Sequence, residues 1–334
     1  MTQSHREHDP TSEPPVAVID IGSNSICLLV VRPRRDGTLE ILSKIKDDAQ
    51  LRAQVGPEGR LSSTGVDRML AVLARFQNEI NRLHAEPFAV ATAALRAATN
   101  ARQVVLRIKE EVGLDVHVIS GHEEARLAWL GARHAMGHAA DDGQILCVDV
   151  GGGSTELLLG RRDRAVWASS LPLGAIVVAR DLLGPDPVTV KTLAHARHEI
   201  REQLQDLAAE LRHVGAYRTF ATSGTVQRVA RIALGLRGED PRDDVHGFEL
   251  EASHVHEVVE KLAATRSTAE RKAILGMDPS RADTLLGGAM LHEALSEVLH
   301  IERWTVSMAG LRMGLVAQAL AARGHREPPH GKLG

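Results

Sequence analysis

Two segments of the chain carry residue types suited to phosphate chemistry, and they are variants of one pattern. Asp20-Ile21-Gly22-Ser23-Asn24-Ser25 lies between the apolar runs 16–19 and 26–31. Asp149-Val150-Gly151-Gly152-Gly153-Ser154-Thr155 lies between 145–148 and the run 157–159, with Glu156 at the junction. Glycines that reach positive φ and short hydroxyl or amide side chains let successive backbone N–H groups converge into a nest for phosphate oxygens. The Asp at each strand end is placed to hold a divalent cation, directly or through water. Two ordinary hairpin turns are the plain alternative, and the matched, Asp-led repetition speaks against it. A third turn, Ser223-Gly224-Thr225, opens a helix. It reads either as an anion-binding helix start or as a simple cap.

Two further side chains fit the same chemistry. Ser120 and Glu123 have capping-box spacing, so Glu123 has a structural role at a helix start. Glu124 is about 100° further round that helix and has none; a carboxylate there could orient or deprotonate a water, and a solvated first-turn acid favoured by the helix dipole is the alternative. Arg96 follows 91–95 at a strand-to-helix junction, where a guanidinium could clamp a phosphate; a surface arginine is the alternative. Basic clusters at Arg32, Arg34 and Arg35 and at Arg161, Arg162 and Arg164 read as solvated turns or as a polyanion path. The 17 histidines show neither H-E-x-x-H nor zinc spacing with cysteine, so no zinc site is assigned.

The elements around these residues follow from periodicity. Apolar runs flank both Gly-rich turns, so each is a strand–turn–strand hairpin rather than the strand–turn–helix of a Rossmann or Walker loop. The hairpins stand about one domain apart, which points to a duplicated fold with two facing halves. Helical periodicity covers 66–85, 100–112, 190–214, 225–233, 254–264, 267–275, 282–298 and 310–322. Strands are expected at 87–92, 114–119, 165–171, 218–222 and 304–307. The class is mixed α/β.

Composition narrows the function. The chain has 334 residues, enough for about two domains. Hydrophobic residues are 43% and charged residues 25%, which excludes a disordered chain, a collagen and a coiled-coil rod. A net charge of −3 gives no global field for nucleic acid, and 2% aromatics leave few platforms for stacking bases, so no specific nucleic-acid partner is expected. Cys27 and Cys147 sit in apolar runs and read as buried thiols of a reducing compartment, the cytoplasm. No run is long enough to span a membrane, and no membrane partner is expected. Residues 1–15 read as a polar leader and 323–334 as a loose tail.

Taken together, VAVIDIGSNSICLLVV, ATAALRAATN, ISGHEEARL, CVDVGGGSTELLLG, SLPLGA, ATSGT, RADTLLGGA and LRMGL resemble the exopolyphosphatase/guanosine pentaphosphate phosphohydrolase (Ppx/GppA) family of the actin/hexokinase superfamily. The resemblance runs from residue 16 to 316. It implies two RNase H-like domains, 16–122 and 123–322, around a central cleft, with the last helix packing back on the first domain. It implies Mg²⁺ (or Mn²⁺) held by Asp149, Glu156 and Asp20, and Glu124 and Arg96 as catalytic groups. The phosphate-binding turns are then Gly22, Ser23, Asn24 and Ser25, Gly151 to Thr155, and Ser223, Gly224 and Thr225. The expected activity is release of orthophosphate from inorganic polyphosphate. Attack on the 5′-phosphate of pppGpp, transfer to an acceptor, and non-catalytic sensing stay open, and a homodimer is compatible. One departure stands out: where the family resembles S-D-G-x-L-R-E-G, this chain has Met308 and Met313 in place of two acids. Longer members carry extra C-terminal helical domains, so the channel those domains extend is not expected within one subunit here.

Overall fold

The strand–turn–strand pattern builds the first sheet. Strands β1 (Val16–Ile21) and β2 (Ile26–Pro33) form an antiparallel hairpin, and β3 (Leu39–Asp47) extends it on the β2 side. The computed structural model describes residues 13–324 except 35, 37, 138–142, 162–163, 212–213 and 215–216. Most of the expected leader, Arg35, Arg162 and the tail beyond residue 324 therefore lie outside the described residues. On the other side of β1 run β4 (Glu86–Ala91) and β5 (Val116–Val118), both parallel to it, giving the order β3-β2-β1-β4-β5. Helices α1 (Ser63–Arg82), α2 (Ala93–Arg96) and α3 (Ala101–Val112) connect these strands. Ser62 caps α1 by accepting from the Gly65 N–H, and the stripe Val66, Met69, Leu70, Leu73, Phe76 and Ile80 is buried against the sheet.

The second sheet repeats this plan. Strands β6 (Gln144–Val150), β7 (Thr155–Arg161), β8 (Arg164–Leu171), β9 (Tyr217–Thr222), β10 (Glu249–Glu251) and β11 (Arg303–Ser307) lie in the order β10-β11-β9-β6-β7-β8. Read from β8, the series β8-β7-β6-β9-β11 matches β3-β2-β1-β4-β5 in order and direction. This is the duplicated RNase H-like architecture. Strands β1, β2, β6 and β7 are buried on both faces, which explains their nearly continuous apolar sequences. Two strands escape the sequence reading, β3 and β10. Both lie at sheet edges, where polar and charged side chains interrupt the apolar alternation.

The remaining helices are α4 (Gly121–Met136), α5 (Ala175–Val177), α6 (Val190–Leu211), α7 (Gly224–Leu236), α8 (Ala252–Ala263), α9 (Thr268–Lys272), α10 (Leu285–Val298) and α11 (Leu311–Ala322). Helix α10 is buried from Leu285 to Ser296 and forms the centre of the second core. Helices α4 and α11 join the halves. Leu127 of α4 and Leu311, Leu315 and Val316 of α11 share one apolar cluster with Val16 and Val18 of β1. The two helices cross backbone to backbone: a Cβ on Gly314 would collide with the Leu127 carbonyl, and one on Gly131 with the Gly310 carbonyl. Among the described residues, no helix is long and apolar enough to cross a membrane.

The crossing yields a stability test. Gly314→Ala should cost ~1–3 kcal/mol in urea denaturation, because the obstacle is backbone and cannot rotate away. Gly56→Ala, whose new methyl meets nothing nearer than 3.8 Å, should stay within ~0.5 kcal/mol of the parent. Equal effects would remove the crossing as a constraint.

Candidate active site

Both hairpins close with the same bond. The Gly22 N–H donates to the Ser25 carbonyl at 3.0 Å, and the Gly151 N–H to the Ser154 carbonyl at 2.9 Å. Register then fixes what faces the cleft. Asp20 pairs with Cys27 across the first hairpin and Asp149 with Glu156 across the second. Paired residues share a face, so each Asp has its partner beside it. The two turns meet: a Cβ on Gly152 would lie 3.3 Å from the Ser23 Cβ, and one on Gly153 would lie 2.6 Å from the Ser23 Oγ. An anion between the turn tips would require them to part.

The reason for glycine differs from the expected one. None of Gly22, Gly151, Gly152 and Gly153 has φ in the left-handed region. What the second turn needs is closeness, to Ser23 on one side and to Ile176 on the other. The left-handed backbone occurs in the third turn, at Ser223 with φ 112°, a region costly for any residue with a Cβ.

Helix α4 begins as expected and then departs from expectation. The Ser120 Oγ accepts from the Glu123 N–H at 3.2 Å. Among the described residues the Glu123 carboxylate makes no bond back to the Ser120 N–H, so only half of the capping box forms. Glu124 is buried, and its Oε2 accepts from the Arg96 Nη1 at 2.8 Å. The Thr92 side chain also favours its charged form, more weakly than Arg96 does. Arg96 Nη1 also reaches the Ile119 carbonyl at 3.2 Å, and Nη2 reaches the Ser154 Oγ at 3.3 Å and the Glu156 Oε1 at 3.4 Å. Ser170 donates to that same Glu156 oxygen at 2.9 Å. Arg96 therefore ties Glu124 to the second hairpin.

Four carboxylates act on one another here, Glu124 and Glu156 buried and Asp20 and Asp149 half-buried. Burial raises Glu124 to about 7, against the lowering hydrogen bond and charge of Arg96. Burial raises Asp149 to about 7, helped by Glu124 and Asp20 and opposed by Arg312 and Arg281. Burial raises Asp20 to about 6, opposed by Arg312. Glu156 is also pushed well up, by burial first and by the charge of Glu124 second. Asp20 Oδ1 and Ser23 Oγ are shut off from solvent and, among the described residues, have no hydrogen-bond partner.

Several expected phosphate ligands are committed elsewhere. The Thr155 hydroxyl donates to the Leu173 carbonyl at 2.6 Å, and the Ser25 hydroxyl to Asp48 at 2.7 Å. Asn24 sits half-buried in its turn, its amide 3.4 Å from the Ser25 Oγ. The Thr225 hydroxyl donates to the Val150 carbonyl at 2.9 Å, and Ser223 caps α7 through the N–H groups of Thr225 and Val226. These hydroxyls hold the turns in shape, whereas the Ser23 hydroxyl is committed to no partner among the described residues. The basic clusters are not near the site. Arg32, Arg161 and Arg164 lie at the strand ends away from the turns, and Arg32 and Arg34 pair with Glu40. Met313 is buried in the apolar cluster of α11, and Met308 packs on the second core, so neither faces the acids.

Sequence reasoning missed Thr92, Ser170, Arg281 and Arg312. RADTLLGGA and LRMGL contain both arginines, but nothing local to those segments marks a charge that turns inward. A separate group, His256, Glu260 and Glu293, has ligand-like spacing on α8 and α10. Arg197 of α6 already bonds both glutamates, at 2.6 Å and 2.9 Å.

Comparison with known proteins agrees with this architecture. The profile of the Ppx/GppA phosphatase family matches residues 30–322. Exopolyphosphatase 1 of Mycobacterium tuberculosis is 31% identical over 310 residues, covering 91% of this chain and 88% of that protein. The Aquifex aeolicus member of the Ppx/GppA family superposes with TM-score 0.77 at 27% identity, over 93% of this chain and 99% of the other. An exopolyphosphatase from Cytophaga hutchinsonii superposes with TM-score 0.82 at 25% identity, over 95% and 100%. With two actin-like halves, two Asp-led hairpins and these relatives, the chain belongs to the Ppx/GppA phosphatase family and is a phosphoanhydride hydrolase.

Proposed function

We propose that the chain is a divalent-metal-dependent exopolyphosphatase that removes the terminal phosphate of inorganic polyphosphate in the cytoplasm. The observation that carries this reading is the set of four mutually interacting carboxylates, two buried (Glu124 and Glu156) and two half-buried (Asp20 and Asp149), with Asp20 Oδ1 lacking a hydrogen-bond partner among the described residues. An all-oxygen, carboxylate-rich set suits Mg²⁺ or Mn²⁺. Asp20 and Asp149 would hold the ion, with Glu156 beside them and turned toward Arg96 and Ser170. Bound there, the ion would neutralise phosphate oxygens. The buried free thiols of Cys27 and Cys147 suit a reducing compartment.

Glu124 is the base in this reading. A carboxylate raised to about 7 is well matched to accepting a proton near neutral pH. Arg96 fixes its orientation. Water attacks phosphorus, its proton passes to Glu124, and the bridging P–O bond breaks. Backbone N–H groups of the turns, free of the committed hydroxyls, face the oxygens of the transferred group. The named relatives favour polyphosphate, and phosphate release from long polyphosphate, pppGpp and ATP side by side tests that choice. Appearance of the phosphate on an acceptor would instead indicate a transferase.

The metal assignment has a pH signature. Between about 4 and about 7, the folded chain keeps protons on Asp149 and Glu124 that the unfolded chain has released. These groups therefore lower stability as pH rises through that range. A cation that takes the ionised carboxylates offsets the cost. Mg²⁺ should thus raise the melting temperature more at pH 8 than at pH 5.5, and Asp149→Asn should abolish the rise. An equal or absent rise at both pH values rejects these ligands.

Glu124→Gln should lower kcat by ~10²–10⁴-fold with the fold intact. Glu123→Gln should stay within a few-fold. Since the Glu123 side chain closes no capping bond, Glu123→Ala should cost under ~0.5 kcal/mol, whereas Ser120→Ala should cost ~1 kcal/mol. A near-normal Glu124→Gln enzyme would remove Glu124 as the base.

A further inference from the structure

The second sheet carries a row of three polar side chains. Asp149 of β6 pairs with Glu156 of β7, and Glu156 pairs in turn with Ser170 of β8. Residues paired across adjacent strands share a face, so the three stand side by side. The first two are carboxylates of the site. The third has no task in the reaction as described so far.

Glu156 is only 1% exposed, so water does not satisfy its oxygens. Its Oε1 accepts from the Ser170 hydroxyl at 2.9 Å and from Arg96 Nη2 at 3.4 Å. The second contact is long for a charge-assisted hydrogen bond, usually about 2.7–2.9 Å. Arg96 Nη1 meets Glu124 Oε2 at 2.8 Å, within that range. Two buried carboxylates thus compete for the Arg96 guanidinium, and Glu124 holds the shorter bond. The Ser154 hydroxyl stands at the same junction, accepting from Arg96 Nη2 at 3.3 Å.

Packing holds the Ser170 hydroxyl in place. A Cβ on Gly121 would lie 2.1 Å from its Oγ and 2.3 Å from its Cβ. Gly121 opens α4, the helix that carries Glu124 three residues later. The hydroxyl is therefore enclosed between that helix start and Glu156. Ser169, its neighbour on β8, pairs with Leu157 and faces the other side of the sheet.

We propose that Ser170 is a positioning residue for the hydrolysis: by donating to Glu156 Oε1 it leaves the Arg96 guanidinium to Glu124 and keeps that carboxylate aimed. The inference rests on the reading of Glu124 as the base. Without the hydroxyl, Glu156 Oε1 loses its short hydrogen bond where water does not reach. An unsatisfied buried acceptor is costly, and Arg96 Nη2 already stands beside it. The guanidinium is a rigid plane, so closing Nη2 on Glu156 draws Nη1 away from Glu124. Ser170 touches no substrate in this scheme, and no bond forms or breaks at it.

Ser170→Ala removes the donor without adding bulk. At saturating Mg²⁺ its kcat for phosphate release should fall ~10–100-fold with KM for polyphosphate within ~3-fold, the signature of a misaimed group rather than lost binding. Ser169→Ala, on the opposite face, should stay within ~3-fold in kcat, which separates loss of the hydroxyl from general loosening of β8. In a crystal structure of Ser170→Ala, Arg96 Nη2 should close to ~3.0 Å from Glu156 Oε1 and Nη1 should part to beyond ~3.5 Å from Glu124. An Arg96 that keeps the parent's distances overturns the inference. So does a raised KM with kcat unchanged, which would make Ser170 a substrate contact. Ser170→Ala working at the parent's rate while Glu124→Gln is inactive overturns the inference and leaves the base in place. A fully active Glu124→Gln overturns both.

Discussion

The bridge made by Arg96 is the interaction on which the site depends. Its guanidinium leaves the first half at the end of α2, bonds Glu124 at 2.8 Å, and reaches Ser154 and Glu156 of the second hairpin. Without it, two buried carboxylates would face each other uncompensated, and removing one partner of such a set is far more costly than never having built it. The bridge also aims the proposed base. Glu124 cannot turn toward solvent without breaking its bond to Arg96, which holds its carboxylate beside the second hairpin.

Close backbone approach makes that bridge geometrically available. A Cβ on Gly121 would collide with Ser170, so glycine lets the first turn of α4 lie on β8 beside Glu156. Gly152 and Gly153 let the second turn rest against Ser23 of the first. Gly131 and Gly314 let α4 and α11 cross at backbone distance, and that pair carries the contact between the second half and β1. Each glycine removes a side chain from a contact between segments distant in sequence.

The duplicated plan also shows where the halves have diverged. Asp20 and Asp149 are equivalent, and so are the hydrogen bonds that close the two turns. The residue paired with each Asp is not: Glu156 in the second hairpin corresponds to Cys27 in the first. Burial pushes the Cys27 thiol up, so it adds no charge. The acids are therefore weighted toward the second half, while Arg96 comes from the first. Charge balance within the site is achieved only when the two halves face each other.

The strongest local patterns were legible in the sequence. Continuous apolar runs around Asp-led turns gave both hairpins, and Ser120 was legible as the cap of α4, though the Glu123 side chain leaves its half of the box open, because strand pairing across a tight turn and helix capping involve residues a few positions apart. The matched motifs also carried the family. Edge strands such as β3 were hidden because solvent on one side permits the charges that break their alternation. The purpose of the turn glycines was misread, since φ is a local property but Ser23 against Gly153 is a contact between halves. Tertiary structure alone decided the electrostatics. Arg96 meets Glu124 across 28 positions and Glu156 across 60, and the charges of Arg281 and Arg312 act on Asp149 from much further along the chain. A charge pairs according to distance in space and exposure to water, and neither is written in the residues next to it.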